Sequence, residues 1–161
     1  LETGTVASCL QARALNRPID TTEIWIARAL VALAIDLVAC STGSVRDASR
    51  FAASEASKWG HLLCPKNFDD NARDWHKQFA ARRVKRVEAQ SVFDSRKELL
   101  TAEISDAERN GIAVTAESIG SVIMMYAAQR AIRANNIPDD EARRLLGLNA
   151  PSLGVGEKPA P

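Results

Sequence analysis

Residues 20–40 read Asp20-Thr-Thr-Glu-Ile-Trp-Ile-Ala-Arg-Ala-Leu-Val-Ala-Leu-Ala-Ile-Asp-Leu-Val-Ala-Cys40. Asp20 followed by Glu23 is a capping-box pattern, so a helix is expected to start here and to run to about Cys40. Beyond the cap the segment is apolar nearly all round. Such a helix either sits at the centre of a bundle or lies in a membrane. Only seven residues separate Arg28 from Asp36, and the whole segment falls short of a clean span. The reading is therefore a buried core helix. Asp36 then becomes a partly buried acid that needs a donor, at a cost of about several kcal/mol if it finds none.

The rest of the composition agrees with a helical bundle. The chain has 161 residues, long enough to bury a core without disulfides; 46% are hydrophobic and only 5% aromatic. Alanine and arginine are plentiful, which favours helix over sheet. Net charge is +1, so any polyanion site must come from local clustering. Cys9, Cys40 and Cys64 are widely spaced and odd in number, the pattern of reduced thiols in a cytosolic setting. The chain opens on Leu1, as expected of a processed or trimmed product, and shows no signal-peptide pattern.

On the N-terminal side, residues 1–18 carry Val6, Leu10, Ala14 and Leu15 before Asn16-Arg17-Pro18, an arm expected to dock on its own core or a neighbour. After the core helix, Ser41-Thr-Gly-Ser44 is a polar turn. Ser44 is a good N-cap with Asp47 three residues on, and Gly60 is a natural terminator for the helix that Ser44 opens. Asp69 or Asp70 is expected to cap a long basic helix, in which Trp75, Phe79, Arg82 and Arg86 share one side. Ser91-Val-Phe-Asp94 restarts a helix that Asn110-Gly111 ends. Thr115-Ala-Glu117 opens another to about Asn135, with Ile119, Val122, Ile123, Tyr126, Ala127 and Ile132 inside and Met124 and Met125 as core filler. A short last helix starts at Pro138 and stops at Gly147. From Asn149 the chain is rich in proline and glycine and reads as an extended tail.

Chemistry for an enzyme is scarce. His61 and Cys64 stand at metal-ligand spacing, but two further ligands are missing, so no metal is expected. No phosphate loop, nucleophile elbow or zinc-protease motif occurs, and the carboxylates fall mostly at helix starts, where capping accounts for them. Two places suit phosphate instead. The uncapped amides, hydroxyls and Arg46 at the Ser41–Ser44 turn could hold an anion. The cluster Arg73, Arg82, Arg83 and Arg86 could face a polyanion, or could equally be a solvated cationic face.

Several short motifs resemble the coat proteins of flexuous filamentous plant viruses, the potexvirus and potyvirus types. They are Cys40-Ser41-Thr42-Gly43-Ser44 after a hydrophobic helix, then Val45-Arg46-Asp47, then Trp59 near the helix end. Val92-Phe93-Asp94 and Leu145-Leu146-Gly147-Leu148 come next in order, so the likeness spans residues 19–148. The chain differs at Ser95, where an aromatic is usual, and in a longer interval between the arginine and the aspartate. The resemblance implies a helical core with flexible arms that polymerises around single-stranded RNA. It also implies a pocket of Ser44 (or Ser41), Arg46 and Asp94, with the aspartate holding the arginine in place.

The expectation is thus an all-α chain: a single core of five to seven helices over residues 19–148, an arm over 1–18 and a tail over 149–161. Its expected function is a structural, non-enzymatic coat protein of a virion, assembled in the host cytoplasm, with no cofactor, no metal, no membrane and no small-molecule substrate. Its expected partners are single-stranded RNA and further copies of itself. The RNA-contacting set is Ser41, Ser44, Arg46, Arg73, Arg82, Arg83, Arg86 and Asp94. The alternative is a cytoplasmic helical adaptor in a larger protein assembly, without nucleic acid.

Overall fold

Helix α1 (Thr22–Thr42) is the axis on which the other elements pack, and the capping of its first turn is local: the Thr21 hydroxyl accepts from the Ile24 amide at 3.3 Å. The computed structural model describes residues 21–148; the expected arm, tail and Asp20 lie outside them. The other elements are α2 (Val45–Glu55), a 3₁₀ turn (Gly60–Leu62), α3 (Phe68–Ala80), α4 (Val87–Arg109), α5 (Ala116–Ala134) and α6 (Asp139–Leu145). The described residues are all-α, with no strand.

Eleven residues of α1 are buried, from Ile24 to Val38, because α2, α3, α4 and α5 all pack against it. By length and composition alone the same helix would pass for a membrane span. Its most extensive contact is with α5, where Gly120 lets the backbones close. A Cβ at Gly120 would stand 2.9 Å from Phe51 Cε1 and 3.1 Å from Val38 Cγ2. Glu23 and Arg130 fasten the other end of this pair at 3.0 Å.

Several boundaries differ from the sequence reading. Helix α2 stops at Glu55, and Gly60 is no terminator: it sits buried in the 3₁₀ turn, where a Cβ would come within 3.0 Å of the Phe68 ring. Neither Asp69 nor Asp70 caps α3; its N-cap is Asn67, in left-handed backbone with φ 53° and no side-chain capping bond. The basic helix does not run on through Arg86 but ends at Ala80, and α4 begins at Val87 rather than at Ser91. On α5, Ile123, Met124, Ala127 and Ile132 are buried as expected. Val122 (48% exposed), Tyr126 (53%) and Met125 are not buried; Met125 opens onto a small groove that it shares with Leu145 and Leu146 at the end of α6.

Two aromatic groups link the elements. Phe68 packs edge-on to both Trp59 and Trp75, at 6.2 and 5.7 Å between ring centroids. Phe79 stacks on Phe93 at 5.5 Å and joins α3 to α4. Ser49, fully buried on α2, donates to Asp69 Oδ1 at 2.5 Å and fixes α2 to α3.

Asp36 finds its donors outside its own helix. His76 Nε2 on α3 lies 2.9 Å from one carboxylate oxygen and Lys97 Nζ on α4 lies 2.9 Å from the other. The His76 hydrogen bond holds the Asp36 carboxyl below the usual carboxylate range; burial opposes it and Lys97 reinforces it. Hydrogen bonding to Asp36 raises the Lys97 ammonium above its ordinary value.

Candidate nucleic-acid interface

The end of α3 and the segment just beyond it gather the exposed cations. Arg82, Arg83, Lys85 and Arg86 all fall in the connection between α3 and α4, and all are exposed. Val84 in their midst is half-buried against the core and anchors the segment. The Arg82 amide bonds to the Phe79 carbonyl at 3.0 Å and the Arg83 amide to the Gln78 carbonyl at 2.9 Å. That pair of bonds is the Schellman termination, which requires a left-handed residue at its corner. Arg82 is that residue, with φ 53°.

The same two-bond ending closes α4 at Gly111, α5 at Asn136 and α6 at Gly147. Glycine and asparagine adopt positive φ at small cost; arginine has no such ease. Arg82 is therefore the residue at which a helix end has been built at the expense of local conformational energy. Arg82→Gly is expected to raise folding stability by about 0.5–1 kcal/mol. The ion pair it removes, to Asp94 at 3.5 Å with Arg82 74% exposed, contributes less than that. Urea unfolding checks this, and a lower midpoint would refute it.

The remaining candidates are dispersed. Asp94 pairs with Arg82 and accepts from the Gln90 amide at 3.1 Å, so it does not hold Arg46, as the resemblance implied it would. Ser44 uses its hydroxyl on the Asp47 amide at 3.1 Å, as a plain N-cap. Ser41 and Arg46 are exposed, and Arg46 makes no side-chain ion pair among the described residues. Arg73 faces Asp69 and Asp70 on its own helix and is spent on them. The structure thus brings Arg82, Arg83, Arg86 and Asp94 together and leaves Ser41, Ser44 and Arg46 at the α1–α2 turn.

Lys85 belongs to the group but was not singled out in the sequence, although its position inside the run Arg82–Arg86 was the available signal. Asp94 and Arg82 also lie on an open cleft of about 830 Å³ that runs along α4 as far as Arg109. No group of three or more metal-ligating side chains occurs among the described residues. No family model, curated protein or solved structure matches the chain.

Proposed function

We propose that this protein is a structural coat protein that polymerises and packages single-stranded RNA through phosphate contacts, without reading sequence. The observation that carries the proposal is the α3–α4 connection: four exposed cations in five residues, one of them an arginine in backbone that favours glycine. Guanidinium groups on a non-helical segment can each approach a phosphate bidentately. Arg46 at the α1–α2 turn supplies a second, smaller contact. A near-neutral chain suits such a polymer, since each copy neutralises only a few phosphates and protein contacts supply the rest. Its place would be the virion, with assembly in the host cytoplasm.

Binding to a uridine oligonucleotide, measured by fluorescence anisotropy across a salt series, tests this. Neutralising Arg82, Arg83, Lys85 and Arg86 together to glutamine should reduce the slope of log K against log salt by about 3, at roughly 0.7 per phosphate on a single strand. An unchanged slope would remove the assignment.

The adaptor reading draws on a different observation, the exposed apolar side chains Val122, Met125 and Tyr126 of α5. The absorbance ratio at 260 and 280 nm of purified material, with negative-stain images, separates the two. Long flexible rods holding RNA support the coat protein, and compact nucleic-acid-free particles support the adaptor.

A further inference from the structure

We propose that the chain's own C-terminal segment docks on the groove between α5 and α6, with Leu153 and Val155 as its anchors. This goes beyond the RNA reading and needs no RNA. The groove, about 240 Å³, is walled by Trp59, Met124, Met125, Ala128, Leu145 and Leu146. Trp59, Met124 and Ala128 are almost fully buried, so the floor of the groove is the core itself, and Met125 at 41% exposure forms an apolar rim.

The size of the groove selects its occupant. A dry apolar cavity of about 150 Å³ takes benzene, so this one has room for a leucine side chain. It is too small for a helix about 10 Å across, and an untethered protein partner would need roughly 1,000 Å² of interface. A tethered segment escapes that requirement. On a short linker its effective concentration is millimolar, so contacts with a Kd of about 1 mM suffice.

The chain passes from the groove straight into this segment. Leu146 is in the groove wall, and Gly147 closes α6 with φ 69° and the Leu148 amide bonded to the Arg143 carbonyl at 2.8 Å. Residues 149–161 follow, and Leu153 stands five positions past Leu148, a reach of up to about 17 Å. Leu153 and Val155 are the only branched apolar side chains in that stretch. In extended chain they fall on the same side, and Gly154 and Gly156 leave bare backbone beside them that can approach the wall closely. Charge does not decide the matter. Glu157 and Lys158 are adjacent and offset one another, so Glu55, the one charged residue lining the groove, meets no net charge.

Met124 and Met125 are the chain's two methionines, so their labelled methyls report on the groove alone. NMR of the full, RNA-free chain with methionine and leucine methyls labelled should show a cross-peak from a methionine to Leu153 that is lost in Leu153→Asp. The same substitution should shift both methionine signals, while Ala160→Asp, which adds the same charge away from the anchors, should shift neither. No cation of the α3–α4 connection is altered, so the result stands apart from the RNA reading. Circular dichroism confirms that the variants keep their helices. A spectrum in which Leu153→Asp removes no cross-peak, or in which Ala160→Asp shifts the methionines equally, would overturn the proposal. So would a cross-peak between copies labelled separately, methionine in one and leucine in the other, since a second copy would then fill the groove.

Discussion

Phe79→Ala is expected to cost about 3–5 kcal/mol of folding stability, the usual consequence of emptying a fully buried aromatic site. More than volume is lost. The Phe79 ring stacks on Phe93 at 5.5 Å, and that contact goes with it; the Gln90 side-chain amide donates at 3.1 Å to the Phe79 main-chain carbonyl, which alanine keeps. In the wild type the two together hold the end of α3 against α4 and fix the connection that carries Arg82, Arg83, Lys85 and Arg86; the variant loses the ring stack of the pair. Urea unfolding reads the stability. Hydrogen exchange over residues 80–90 should rise further than exchange in α5, which Phe79 does not anchor. A loss below about 1 kcal/mol would mean that the site collapses and that the connection is held by something else.

Asp36→Ala is the second large effect, about 2–3 kcal/mol, because it strands His76 and Lys97 around a half-buried position and unties three helices at once. It also carries a pH signature. The Asp36 carboxyl is held below its ordinary value of 3.8, so its contribution is present above that value and is lost as pH falls through the lower folded-state value. Lys97 works in the opposite sense: its contribution is full below its ordinary value of 10.5 and fades as pH rises beyond it. Wild-type stability should therefore fall toward strong acid and strong alkali, and the Asp36→Ala protein should show a shallower acid limb. Parallel acid limbs in the two proteins would show that another carboxylate governs the transition.

Where the sequence could be read, the governing physics was local. Ser44 accepting from Asp47, Thr115 accepting from Ser118, and the endings at Asn110-Gly111 and Gly147 are decided within four or five residues. The all-round apolar character of residues 24–38 likewise dictated a central helix. Misreadings arose where a residue acted against type. Arg82 closes α3 at a corner that glycine or asparagine fills elsewhere in the chain, so nothing in the residue itself announced the end of the helix. Gly60 signalled termination but serves close packing on Phe68. Val122 and Tyr126 fit a core-like pattern, yet both are exposed among the described residues, which no local pattern reveals. For the candidate interface, the cations were legible and their grouping was not: Asp94 meets Arg82 rather than Arg46 because of how α3 and α4 fold together.

Dependence on α1 has a cost in time. Its broadest cover, α5, begins at Ala116, 74 residues after α1 ends at Thr42. At roughly 5–20 residues per second, a nascent chain carries this helix without its broadest cover for about 4–15 seconds, with only α2, α3 and α4 made in the meantime. During that interval the most apolar helix of the described residues, 21 residues long, lacks the partner that covers more of it than any other, and the bundle cannot close.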